Sequence, residues 1–256
     1  MEVSDYIGFV ATEGELFASV AEHGELRVDV PTCPGWDMRE LVRHLGLIHL
    51  WAAGHVAFPH EEPDYGVELQ DLAEYWPDLG GAWPADLDLV SWYRETNANL
   101  VRVLEAAPSD VDAFTFLPAP SPLAMWARRQ ASETAIHRFD AQHARGVASQ
   151  FEPKFASDML NEMLCGFAPR RRTLDIAAEQ LVHIHTSDTD DHWYVTIGPE
   201  RTETSRAGSD ADLTLTGTAA QLYLLLWNRA PDASITMTGN TDLMNLWHGK
   251  FRVRWS

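Results

Sequence analysis

Cationic side chains are scarce in this chain. Its 256 residues carry 19 Lys and Arg against 38 Asp and Glu, a formal net charge of −19. Phosphate binding needs clustered Lys and Arg, so this balance argues against a nucleic-acid partner and disfavours anionic membrane surfaces. Long apolar runs are also lacking. None reaches the length of a membrane span, and the N-terminal MEVSDYIGF has no basic region followed by an apolar core. The expectation is a cytoplasmic protein without a membrane partner. Cysteine is nearly absent: Cys33 and Cys165 make neither a disulfide framework nor a zinc knuckle. What the chain does have is ten Trp, which call for large apolar contact surfaces. Its length allows one large or two modest domains.

The periodicity predicts helices first. One runs from about Ser4 to His23 and ends at Gly24. After the proline-punctuated RVDVPTCPGW, Asp37 caps a second helix, with Glu40 completing a capping box. On it Leu41, His44, Ile48, Trp51 and His55 form an apolar stripe, and His49 lies on the adjoining one with Val42, Leu45 and Val56. From His60 to Asp88 the chain is acidic and rich in Pro and Gly, as expected of a long loop, either a lid or a plain crossover. A third helix spans about Leu87 to Ala106. A fourth begins at Pro122 with Ser121 as N-cap and stops at Gly146. Four helices joined by two short links and one long one predict a four-helix bundle.

After Gly146 the period changes. Residues 154–168 read as one more amphipathic helix, and RRRT punctuates it. EQLVHIHT, HWYVTIG, DLTLTG and SITMTG then read as strands, with TSDTDD a turn. GTAAQLYLLLWNRA and NTDLMNLWHG read as helices. The fold class is therefore α+β with two domains: a bundle over residues 1–150, and a small domain over residues 151–256 with a mostly antiparallel sheet.

Glu133, His137 and Asp140 share one face of the fourth helix, at i, i+4 and i+7, among Ala131, Ala135, Ile136 and Phe139. A carboxylate and an imidazole one turn apart in an apolar interior can share one divalent metal ion. Spacing alone does not establish this. Chance gives roughly 1.6 acid-x-x-x-His pairs at this composition, and there are four: Glu40/His44, Glu133/His137, Glu179/His183 and Asp188/His192. The ordinary role of such a pair is a surface ion pair or a satisfied core histidine.

PTCPGWDMRELVRHLGLIHLWA, followed about ninety residues later by ETAIHRFDAQHARG, resembles the mycothiol-dependent maleylpyruvate isomerase family. The strand and helix runs of the second half resemble that family's C-terminal domain, so the likeness covers nearly the whole chain. The resemblance implies a DinB-like four-helix bundle and a divalent metal, usually zinc, held by His44, Glu133 and His137. Such a ligand set leaves an open position and also suits iron or nickel. The implied thiol belongs to mycothiol, in keeping with cysteines that lie away from the ligands in sequence. In the isomerase this thiolate adds to a cis double bond, the central bond rotates, and elimination gives the trans product. In an S-transferase it attacks another electrophile and stays attached.

The family also uses a C-terminal-domain arginine on its dicarboxylate, and Arg229 is the candidate here, set against an Arg that merely closes a helix C-terminus. Asp140 is either an acceptor orienting a ligand imidazole or an ion pair. His49 is an alternative ligand or a core histidine. His55, His143 and His248 read as structural or exposed, and Arg43 and Arg138 as solvent-facing. The expected partners are a small-molecule substrate and a low-molecular-weight thiol, with the chain a monomer or homodimer. The alternatives are a non-catalytic metal- or small-ligand-binding protein of the DinB-like superfamily and a metal-free interaction module.

Overall fold

The computed structural model describes residues 1–58, 84–170 and 176–251, and the chain divides into two compact units, Met1–Ser149 and Gln150–Ser256. Most of the long acidic loop expected from His60 onward, and part of the RRRT segment, lie outside the described residues.

The first unit is a bundle of four helices, α1 (Val3–Glu22), α2 (Met38–Ala57), α3 (Asp86–Ala106) and α4 (Pro122–Ala144). Local chemistry sets their ends. The Asp37 carboxylate accepts from the Glu40 amide and Glu40 answers to the Asp37 amide, which starts α2. Ser121 accepts from the Ala124 amide and Pro122 fills the first turn of α4. Gly146 takes φ +67° just beyond α4, where a side chain would be strained. Helix α4 packs against α1 and α2, and α3 packs against the same two. Phe17, Leu41, Leu45, Leu89 and Tyr93 fill the core between α1, α2 and α3.

Helix α4 differs from its neighbours. It buries residues around nearly its whole circumference, including Arg129, Gln130, Glu133, His137, Arg138 and Asp140. Buried polar groups need partners, so this helix must carry a hydrogen-bonded network. Arg138 corrects the expectation of a solvent-facing side chain. It is 1% exposed, its Nε donates to Glu13 on α1, and its Nη1 donates to Gln142 at 2.6 Å. The driving force is the close approach of α1, which leaves the guanidinium no route to water.

The second unit opens with α5 (Pro153–Glu162), which continues through one π-helical turn (Met163–Phe167) and a short 3₁₀ turn (Ala168–Arg170). Five strands follow, β1 (Gln180–Thr186), β2 (His192–Ile197), β3 (Thr202–Ser205), β4 (Leu213–Gly217) and β5 (Thr236–Gly239), in the order β3-β2-β1-β4-β5. Three of the four pairings are antiparallel; β1 and β4 run parallel. Strand β3, sequence TETS, has no apolar alternation to mark it in the sequence; its pairing with β2 makes it a strand. Helix α6 (Ala219–Leu226), capped by Thr218, precedes β5, and α7 (Asp242–Lys250) follows it. Val182, Ile184, Trp193 and Val195 are buried on one sheet face, while His183, His185, His192 and Tyr194 alternate onto the other.

Candidate metal centre in the helical bundle

Helix α2 delivers His44, and α4 delivers Glu133 and His137 one turn apart. The three side chains meet inside the bundle, with exposures of 7%, 4% and 0%. Glu133 Oε1 lies 3.3 Å from His44 Nε2 and 3.2 Å from His137 Nε2. The two imidazoles stand edge to face with centroids 5.0 Å apart. One potential ligand atom from each residue falls within 4.8 Å of the others. Of the four acid-x-x-x-His pairs, Glu133/His137 is the one that builds this centre. Glu40 is spent on capping α2, and Asp188 accepts from the Ala219 amide.

A surrounding layer orients these groups. Asp140 Oδ2 lies 2.9 Å from His137 Nδ1, so the carboxylate fixes that nitrogen as the protonated one and turns Nε2 toward the centre. Arg129 Nη2 donates to Glu133 Oε2 at 2.5 Å, leaving Oε1 to the imidazoles. Cys33 Sγ donates to Asp140 Oδ2 at 3.2 Å, and the Trp36 ring packs against both imidazoles, tilted 4.9 Å from His44 and stacked 6.4 Å from His137. Sequence reasoning missed Arg129, Cys33 and Trp36 as neighbours of the centre. Arg129 was findable, because it precedes Glu133 by one helical turn. Cys33 and Trp36 sit on the connector before α2, and no local period reports where a connector folds.

Electrostatics follow from burial and these partners. Burial lowers His44, favouring a neutral imidazole. Burial alone would raise Glu133, but Arg129, then His137 and His44, hold it well below the carboxylate range. Burial also opposes charge on His137, yet Asp140, Cys33 and Glu133 raise it well above the imidazole range. The centre thus contains an ionised carboxylate and a histidine held between two carboxylates.

His49 lies outside this group. Its Nε2 lies 2.9 Å from Thr134 Oγ1, and its ring packs on Tyr93. His55 stacks on Trp126, His143 on Phe139, and His248 bonds Asn228 and Asp232. In the second unit, Arg229 follows α6, and its Nη1 donates to the Trp227 carbonyl at 3.0 Å. That bond is the helix-closing contact weighed against a substrate role.

A four-helix bundle with two histidines and a glutamate gathered in its interior, joined to a small α+β unit, defines a class of two-unit proteins with a polar centre in the bundle. The comparisons with known proteins agree with that architecture. Residues 10–142 match the family described as the mycothiol maleylpyruvate isomerase N-terminal domain, and residues 154–245 match its C-terminal domain. The chain belongs to the mycothiol maleylpyruvate isomerase family. Two solved structures share its fold. One is a mycothiol-dependent maleylpyruvate isomerase, at TM-score 0.60 and 11% identity; the other is a histidine-to-alanine mutant of such an isomerase, at TM-score 0.63 and 12% identity. Each alignment covers 93% of both chains. No curated protein sequence matches this chain. Among the described residues no helix is long and apolar enough to cross a membrane.

Proposed function

We propose that this protein is a metal-dependent, mycothiol-dependent enzyme acting on a small electrophilic substrate, by cis–trans isomerisation or by S-transfer. The convergence of His44, Glu133 and His137 in the bundle interior carries this proposal. The donors fit a divalent ion. The edge of a tetrahedral site with metal–ligand distances near 2.1 Å is about 3.4 Å, and Glu133 Oε1 lies 3.3 and 3.2 Å from the two Nε2 atoms. His44, Glu133 and His137 would hold the ion, zinc being the first expectation for nitrogen and oxygen donors. When bound, it would lower the pKa of a coordinating thiol enough to keep it as thiolate at neutral pH.

The chain's own residues have separable tasks. Asp140 keeps the His137 proton on Nδ1, so Nε2 presents its lone pair. Arg129 keeps Glu133 ionised and engages one of its two oxygens. Trp36 shields the two imidazoles from water. Cys33 is engaged with Asp140, consistent with a nucleophilic sulfur brought by the thiol cofactor. Arg229 is assigned to a substrate carboxylate on the family resemblance.

Purified protein should be incubated with mycothiol and maleylpyruvate, then with mycothiol and other electrophiles, and the products identified by mass spectrometry. A trans isomer with mycothiol released marks the isomerase, and a mycothiol adduct marks the transferase. Neither product from metal-replete protein would leave a binding protein. Elemental analysis after dialysis should find a tightly held divalent metal, with the content falling by one equivalent per chain in His44→Ala and in His137→Ala. Full metal content in both variants would overturn the ligand assignment.

A further inference from the structure

The second unit gathers histidines on the sheet face opposite its core. His185 on β1 stands directly across from His192 on β2, and His183 stands across from Tyr194. The His185 and His192 rings stack 4.3 Å apart and within 3° of parallel. The hairpin turn between the two strands returns Asp190 to the same place. Asp190 takes φ +55°, a left-handed conformation that Asp tolerates better than most residues, and its amide donates to the Thr186 carbonyl at 2.9 Å. Its Oδ1 lies 3.1 Å from His185 Nε2 and 3.6 Å from His192 Nε2. The two distances are near the roughly 3.4 Å edge of a tetrahedral site with metal–ligand distances near 2.1 Å. An imidazole lone pair lies in its ring plane, so to share an ion with His192 and Asp190 the His185 ring has to turn out of the stack.

A second feature supports the same assignment. His192 Nδ1 lies 2.9 Å from His183 Nε2. A histidine that ligates through Nε2 carries its proton on Nδ1 and gives it to a neighbouring acceptor, which fixes the ring. His183 Nε2 is such an acceptor, and the Tyr194 ring stacked 4.5 Å away holds His183 in turn. Solvent reaches the group: the side chains of Asp190, His185 and His192 are 88%, 28% and 39% exposed.

We propose that His185, His192 and Asp190 form a second metal site, on the sheet of the C-terminal unit, for an imidazole-binding divalent ion such as zinc, copper or nickel, with His183 as the positioning residue. Imidazole donors suit these ions, whereas an all-oxygen set would suit magnesium or calcium. The site lies wholly on one hairpin and does not depend on the bundle centre. A bound ion would tie β1 to β2 beside their turn.

Zinc is the probe. Full-length His44→Ala/His137→Ala protein, stripped by chelator, should take up one zinc equivalent in a competition titration with a chromophoric chelator, and its melting temperature should rise with zinc. Adding His185→Ala and His192→Ala should abolish both effects. His183→Ala should weaken binding about tenfold, as loss of an orienting partner does. Asp190→Asn, which keeps the left-handed turn residue, should weaken binding while leaving the metal-free melting temperature unchanged. Equal zinc uptake with and without His185 and His192, or none in the parent variant, would overturn the site. Uptake unaffected by Asp190→Asn would remove the carboxylate from it.

Discussion

Asp140 Oδ2 lies 2.9 Å from His137 Nδ1, with both side chains wholly buried. This contact sets which histidine nitrogen faces the centre and how strongly that histidine holds a proton. Asp140→Asn keeps the shape but loses the charge, and metal affinity should fall about 10- to 100-fold. Asp140 and Glu133 raise His137 well above the usual imidazole range, so in the metal-free protein a proton competes with the ion for Nε2. Affinity should therefore rise with pH. Removing the Asp140 charge relaxes that competition, so the loss in Asp140→Asn should be largest at high pH and smallest at low pH. Chelator competition between pH 6 and 8 measures it; a pH-independent loss would contradict the proton-competition account.

The cysteines should be dispensable for chemistry. In Cys33→Ser the hydroxyl can still donate to Asp140, and in Cys165→Ser it can still donate to Asn161. The double variant should keep most of its turnover. Complete loss in a folded double variant would place the nucleophile on the protein.

Arg229→Ala should raise KM or lower kcat without changing metal content, by roughly 1.5–3 kcal/mol for a lost charge-assisted hydrogen bond. Its bond to the Trp227 carbonyl predicts a separate loss of stability. Arg229→Lys, which keeps the charge but not the planar fork, separates the two roles. Wild-type kinetics with a lowered melting temperature in Arg229→Ala would leave only the helix-closing role.

His49 gives the fold an acid sensitivity of known sign. Burial pushes its imidazole down from 6.5 to about 3. Thr134 Oγ1 donates to Gln130 and so accepts from His49 Nε2, while His49 Nδ1 finds no partner among the described residues. Above pH 6.5 the ring is neutral in the folded and the unfolded chain. Between 6.5 and 3 the unfolded chain binds a proton that the native state refuses, and stability falls by about 1.4 kcal/mol per pH unit for that one proton. His49→Gln keeps a donor toward Thr134 and cannot titrate. Urea unfolding should show it losing less stability than the parent between pH 7 and 4.5; equal losses would count against this source of acid sensitivity.

Glu13 and Arg138 tie α1 to α4 inside the bundle. Glu13→Ala strands a buried guanidinium and should cost about 3–5 kcal/mol. Replacing both, as Glu13→Leu with Arg138→Met, should recover most of that loss, because neither charge is then left buried alone. Thermal unfolding of the single and double variants measures the difference, and equal destabilisation in both would show that shape, not charge, holds the contact.

The sequence by itself determined what depends on neighbours along the chain. Asp37 with Glu40, Ser121 with Pro122, and Gly146 mark helix ends, because caps act within one turn. The 3.6-residue period put Glu133, His137 and Asp140 on one face of α4 and His44 on the apolar stripe of α2. Alternation marked four strands and put His183 and His185 on one face of β1.

Tertiary structure decided the rest. His44 and Glu133 are 89 positions apart, and Cys33 and Asp140 are 107 apart. Which of four equally spaced acid-histidine pairs became a centre depended on which helix faces packed together. Arg138 lost its route to water because α1 closed over it, and TETS became a strand because β2 offered it a partner. Periodicity reports which face a residue occupies. The partner across that face is chosen by close packing and by the need to satisfy every buried polar group, and only the assembled fold meets both conditions.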